Sequence, residues 1–214
     1  MKVRILSSMG SFATNCYIVS NNNEAVIVDA PCNAEFIYRK VTDDGLKLSA
    51  ILLTHGHLDH IGAVSELVKL TGCKVYIHAL DASKLCDDYL NLSEYFGFRE
   101  GIEHFADAIS VHDGDKIKEI GLEFEVIHTP GHTSGSVCFK IDDILFTGDT
   151  LFESSIGRTD MPDGNSSALT RSLELISAFD KNYKIYAGHG GLTDLETEKM
   201  TNHYLGASFY DINF

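Results

Sequence analysis

Directly after a short apolar run at residues 50–53 the chain reads Thr54-His55-Gly56-His57-Leu58-Asp59-His60. Three imidazoles and a carboxylate crowded at the end of a buried strand constrain any fold, because buried polar groups of this kind need partners. Residues two apart on a helix do not share a face, so His55 and His57 belong to a loop. Gly56 is expected to let the backbone turn so that both rings converge. Imidazole nitrogens together with carboxylate oxygens suit zinc, iron or manganese. The plain alternative is a histidine-rich surface loop, and the H-x-H-x-D-H spacing after a strand speaks against it. Four neighbouring groups rarely complete a metal site, so more distant ligands are expected.

Three further segments supply them. His132 lies in Thr129-Pro130-Gly131-His132-Thr133-Ser134-Gly135-Ser136, Asp149 in Thr147-Gly148-Asp149-Thr150, and His189 in Ala187-Gly188-His189-Gly190-Gly191. Each stands beside a glycine at the end of a short apolar run. Loops at strand ends on a rigid sheet are where sites are usually built.

The rest of the chain reads as sheets with helices outside them, an α/β pattern. Short β-rich runs occur at 3–6, 16–19, 25–28, 50–53 and 75–77, with helical segments at 34–41 and 64–70. Residues 80–109 are expected to be mainly helical. A meander follows at 122–127, 136–141 and 144–147. Leu169, Leu173, Ile176 and Phe179 give an amphipathic helix over 166–179. A strand at 184–187 and a final helix at 195–205 complete the pattern. There are three prolines and no Ser/Gly-rich linker, so one domain spanning 1–214 is expected.

Charge narrows the partners. Lys and Arg total 17 against 31 Asp and Glu, a net charge of −14. Nucleic acid needs the opposite surplus, and an anionic membrane surface would repel the chain. A small-molecule substrate is the remaining expectation, and oligomeric state stays open. The five cysteines are odd in number and none forms C-x-x-C, which fits a reducing compartment. No signal-like run opens the chain, so a cytoplasmic protein is expected.

The motifs T-H-G-H-L-D-H, T-P-G-H-T-S-G, F-T-G-D-T-L-F and A-G-H-G resemble the metallo-β-lactamase superfamily. Gly148-Asp149-Thr150-Leu151-Phe152 followed by Ile156-Gly157-Arg158-Thr159-Asp160 is similar to its glyoxalase II-like (hydroxyacylglutathione hydrolase-like) group. The resemblance implies a four-layer αββα sandwich with metals at the sheet edge. It implies that His55, His57 and His132 bind one metal, that Asp59, His60 and His189 bind a second, and that Asp149 bridges them. The cofactors implied are two divalent metal ions, Zn2+ first, with Fe or Mn as the alternatives. The implied activity is a binuclear metal-dependent hydrolase cleaving a small thioester or related ester by attack of a metal-bound hydroxide, with Asp59 as the catalytic residue. The alternative is a mononuclear iron persulfide dioxygenase of the same superfamily.

Asp29 resembles the family's aspartate that orients a ligand histidine, and a turn or helix-cap role competes for it. Thr54 and Ser134 are further candidates for hydrogen bonds around the site. Arg158 is the candidate substrate-binding residue, with a salt bridge to Asp160 or Asp163 as its plain alternative. Tyr95, Phe96, Phe98 and Phe105 are expected to pack in the core, with a pocket wall as the second reading. His78 and His128 are expected as core or supporting groups, and His104, His112 and His203 at the surface or in packing. Aromatic residues 208–214 are expected to dock on the body or a second subunit. After His189 the only Lys or Arg is Lys199. The basic C-terminal helical segment through which glyoxalase II enzymes contact glutathione is therefore not expected.

Overall fold

Runs such as Ala25-Val26-Ile27-Val28 are apolar at successive positions, and in a strand such a run buries both faces. The fold exploits this throughout. The computed structural model describes residues 1–98 and 102–205. Strands β1 (Lys2–Met9), β2 (Thr14–Asn21), β3 (Glu24–Val28), β4 (Lys47–Leu52), β5 (Lys74–His78) and β6 (Ile109–Val111) form one sheet in that order. A second sheet runs β14 (Thr193–Asp194), β13 (Lys184–Ala187), β10 (Ile144–Gly148), β9 (Val137–Ile141), β8 (Leu122–His128) and β7 (Lys116–Glu119). A small hairpin, β11 (Leu151–Phe152) and β12 (Ser155–Ile156), lies outside both.

Tyr17, Val19, Val26, Val28, Leu52, Phe124, Val126, Phe139 and Phe146 fill the space between the sheets. The alternate residues Ile18, Ile27 and Ile51 pack outward against Ile37 and Val41 of α1 (Ala34–Thr42) and Leu67 of α3 (Val64–Thr71). On the far side, Ile127, Cys138 and Leu145 meet Leu169, Leu173 and Ile176 of α4 (Ser166–Ser177). The result is the αββα sandwich that the motifs imply.

The segment expected to be mainly helical, 80–109, is a correction. Its described part holds one 3₁₀ turn, Ala82–Cys86, and then turns. Side chains there outcompete the helical ladder. Asp87 Oδ1 accepts from the N–H groups of both Tyr89 and Leu90 at 3.0 Å, and Asn91 Oδ1 accepts from Ser93 N at 2.9 Å. The last helix, α5 (Leu195–Thr201), is shorter than 195–205 because Asn202 leaves helical geometry and Tyr204 N donates to its side chain. Among the described residues, no helix is long and apolar enough to cross a membrane. Residues 208–214 lie outside the described residues.

Topology positions the site. β3 and β4 are parallel, and so are β10 and β13. β8 shares the direction of β10 through the antiparallel β9. The strands carrying the motifs therefore all end at one edge. The two sheets are stitched there by Val137 N donating to Thr54 O at 2.9 Å and Asn15 N donating to Gly188 O at 2.7 Å.

Candidate metal centre

At this edge the seven side chains expected as ligands converge. His55 and His57 lie in the loop after β4, and His57 is the N-cap of the four-residue helix α2 (Leu58–Ile61), which carries Asp59 and His60. Three trios have donor atoms within 4.8 Å of one another: His55, His57 and His132; His55, His60 and Asp149; and Asp59, His60 and His189. His57 Nδ1 approaches His132 Nε2 at 2.9 Å. Asp149 Oδ2 is 3.4 Å from Nε2 of both His132 and His189, and its Oδ1 is 3.4 Å from His60 Nε2. The aspartate thus stands between the two outer trios.

The donor set fits divalent metal. Among the described residues, the buried side-chain atoms with no hydrogen-bond partner are His55 Nε2, His57 Nε2, His60 Nε2 and Asp149 Oδ1, all within this cluster. Orphaned buried donors and acceptors are costly, so their concentration at one point calls for a ligand. The opposite ring nitrogens are tied down. His60 Nδ1 donates to Asp29 Oδ2 at 2.8 Å, His132 Nδ1 to the Arg158 carbonyl at 2.8 Å, and His55 Nδ1 to Thr54 Oγ1 at 3.1 Å. Each ring is thereby held with an Nε2 lone pair facing inward, the usual support of a ligating histidine.

The charges balance one another inside the cluster. Burial raises the Asp59 carboxyl, but His60 and His189 outweigh it and hold it at about 2. Burial likewise opposes charge on His189, yet hydrogen bonds to Asp149 and Asp59 push it up to about 10. His57, buried beside His132, falls to about 3.

Asp29, at a positive φ of 58°, is almost wholly buried. It accepts from Thr54 N and Thr54 Oγ1, both at 2.8 Å, as well as from His60. Through Thr54 it also reaches His55. Ser134 plays no such part: its N–H and hydroxyl both donate to Asp163 Oδ2 at 2.9 Å.

Gly56 is needed for space rather than for a turn. It does not adopt positive φ, and a Cβ there would meet Lys84 Cβ at 2.6 Å and Cδ at 2.8 Å. Lys84 belongs to a buried network with no local sequence signal. Asp81, wholly buried, accepts from Gly56 N at 2.8 Å, Gly135 N at 2.9 Å and Thr133 Oγ1 at 2.8 Å. Lys84 Nζ lies 3.1 Å from Asp81 Oδ1 and donates to Asp163 Oδ2 at 2.7 Å. One carboxylate therefore holds the backbone between His55 and His57 together with Thr133 and Gly135 in the loop that follows His132. Thr14, whose hydroxyl donates to Asp59 Oδ2 at 2.8 Å, is equally unmarked in the sequence.

A cleft of about 140 Å³ opens over the cluster, lined by His57, Asp59, His132, Asp149 and His189 and walled by Phe12, Phe96, Met161 and Arg158. Arg158 is exposed and paired with Asp160 through two 2.7 Å bonds. Tyr95, Phe96 and Phe98 are exposed rather than core residues; Phe96 packs edge-on against Phe12 at 5.0 Å, and Phe105 packs on the core. His78 is buried and stacks on His128 at 4.2 Å, while His104, His112 and His203 are exposed.

Relatives match most of the chain. A Bacillus subtilis protein described as the probable metallo-hydrolase YqgX is 35% identical over 202 residues, covering 92% of this chain and 94% of its own. The hydroxyacylglutathione hydrolase GloC of Haemophilus influenzae is 32% identical over 201 residues, covering 92% and 95%. Among solved structures, the BLEG-1 B3 metallo-beta-lactamase superposes with a TM-score of 0.90 at 34% identity, covering 96% of this chain and 100% of its own. TTHA1623 in a di-iron-bound form gives 0.83 at 31%, covering 94% and 100%. ETHE1 from Myxococcus xanthus gives 0.78 at 28%, covering 100% and 92%. The family profile of the metallo-beta-lactamase superfamily matches residues 9–189, and with the αββα fold and the edge cluster this places the chain in that superfamily.

Proposed function

We propose that this chain is a binuclear metal-dependent hydrolase acting on a small thioester or related ester. The observation that carries the reading is the convergence of seven donor side chains beneath an open cleft. His55, His57 and His132 would hold one ion, Asp59, His60 and His189 the other, with Asp149 between them. Zinc suits this set, and the related di-iron form supports iron as its rival. When bound, two such ions lower the pKa of water and polarise a carbonyl oxygen.

The chain's own groups supply position and proton handling. Thr14 fixes one oxygen of Asp59 at the cleft floor, where the carboxylate can orient an incoming water and accept its proton. Phe12, Phe96 and Met161 shield one side from solvent. Arg158 spends Nε and one terminal nitrogen on Asp160 and keeps the other for a substrate carboxylate or carbonyl. Of the titratable groups lining the cleft among the described residues, Arg158 alone is outside the proposed ligand set. With no general acid outside the proposed ligands among the described residues of the cleft, a thiolate, which departs unprotonated, suits it better than an alkoxide. All five cysteines are free, which supports a reducing, intracellular setting.

The test is metal content of the native protein followed by a panel of thioesters that includes S-lactoylglutathione. Two ions per chain and turnover of a thioester are expected; fewer than one ion, or inertness to every thioester and ester, overturns the reading. The second reading, a mononuclear iron persulfide dioxygenase, draws support from Gly157-Arg158-Thr159-Asp160 and from the likeness to ETHE1. Oxygen uptake with glutathione persulfide separates the two.

A further inference from the structure

A second cavity, about 260 Å³, adjoins the metal cleft and shares Asp59 and Phe12 with it. Its other walls include Met9, Pro31, Cys32 and Leu58. No Lys, Arg or His lines it among the described residues, and Asp59 is its only charged wall. The volume exceeds the roughly 150 Å³ of a dry apolar cavity that takes up benzene. We propose that this cavity is a substrate subsite for an uncharged, apolar arm, either the acyl chain or the thiol substituent, of an ester or thioester cleaved at the adjacent centre. The proposal rests on the hydrolase reading above.

Three observations carry it. The cavity and the cleft share Asp59 and Phe12 as walls, so the arm of a substrate whose carbonyl lies over the donor cluster would have only these two side chains to pass. The walls are mostly thioether, thiol, aromatic and aliphatic, with Ser11 and Asn33 as uncharged polar exceptions, and burial of the apolar part by a ligand is favourable in proportion to its area. Among the described residues no cation lines the cavity to receive a carboxylate-bearing arm such as that of glutathione, which would be desolvated beside Asp59 in a chain of net charge −14. The subsite thus selects a short alkyl or phenyl arm and rejects a charged one.

The test uses the metal-loaded full chain and two series of thioesters: acetyl to hexanoyl on N-acetylcysteamine, and acetyl thioesters of ethanethiol to hexanethiol. In one series kcat/KM is expected to rise about fourfold per added methylene until the cavity is full. Cys32→Phe, which fills the cavity, is expected to bring the long-chain to short-chain ratio close to one; Met9→Trp fills the same space if the first variant does not fold. Flat profiles in both series overturn the subsite while leaving the hydrolase intact. A readout without turnover is alkylation by iodoacetamide followed by mass spectrometry. Hexan-1-ol should slow modification of Cys32 in the cavity and not of the exposed Cys86. If no thioester is cleaved at all, the hydrolase reading falls, and protection or its absence at Cys32 still decides the cavity.

Discussion

A Cβ at position 188 would lie 2.2 Å from Asp149 Oδ1 and 2.7 Å from His60 Cε1, so the candidate centre closes around a residue with no side chain. Gly188→Ala is expected to displace Asp149 and to weaken metal binding at least tenfold in chelator competition. Asp81→Asn tests the buried network. An amide cannot accept from Gly56, Gly135 and Thr133 at both of its heavy atoms, so affinity at the His55, His57 and His132 trio should fall by about 10–100-fold while the melting temperature stays well above ambient. His78 offers a pH test away from the cluster. Burial first, then the facing His128, holds it near 4, against 6.5 for a free imidazole. Between those values the unfolded chain binds a proton that the folded chain does not, so this stability is complete above about pH 6.5 and is lost as pH falls towards 4. His112, Asp81 and Asp113 also face this ring. His78→Phe should flatten that slope in urea denaturation. The candidate ligand histidines are legible in sequence because His55, His57, His132 and His189 each stand beside a glycine after a strand, and His60 follows in the same H-x-H-x-D-H run. Asp81 and Thr14 are not legible, because the partners through which they reach the cluster lie 25 to 54 and 45 positions away and hydrogen bonding leaves no local pattern.

Elements with a clear period were readable for the same physical reason that they form. The 166–179 stripe is α4, packed on β8, β9 and β10, and the continuous apolar runs are strands with both faces covered. Segment 80–109 misleads because its apolar residues suggest a helix while its Asp, Asn and Ser side chains claim the backbone. The shortest strands escape notice because two or three residues hold no period. Capping is testable at this scale. Asn165 starts α4 by accepting from Ala168 N at 2.9 Å, and its own N–H donates to Gly131 O in the loop of His132. Asn165→Ala should cost about 1 kcal/mol and lower the melting temperature by about 2–4 °C in calorimetry.

For the molecule as a whole, the centre lies at the junction of two sheets, and its candidate ligands come from both. A ligand that binds only the folded chain stabilises it by mass action, by about 4 kcal/mol at a thousand times its dissociation constant. Chelation should therefore lower the melting temperature, and readdition of zinc should restore it. The sandwich class was legible from the order of runs and motifs. The second cavity was not, since Met9, Cys32 and Leu58 are ordinary apolar residues that meet only in three dimensions.

The stitching of Thr54 to Val137 and of Asn15 to Gly188 also sets an order of events as the chain is made. A ribosome releases His55, His57, Asp59 and His60 first, His132 and Asp149 later and His189 last. The His55, His57 and His132 trio is complete only once the ends of β4 and β8 have met, and the Asp59, His60 and His189 trio only once β13 has joined its sheet. Such long-range pairing is slow. If the proposed centre binds metal, the ion would be a late guest that locks a finished sandwich, and a nascent chain halted before β13, lacking His189, should bind metal more weakly in chelator competition than the full chain.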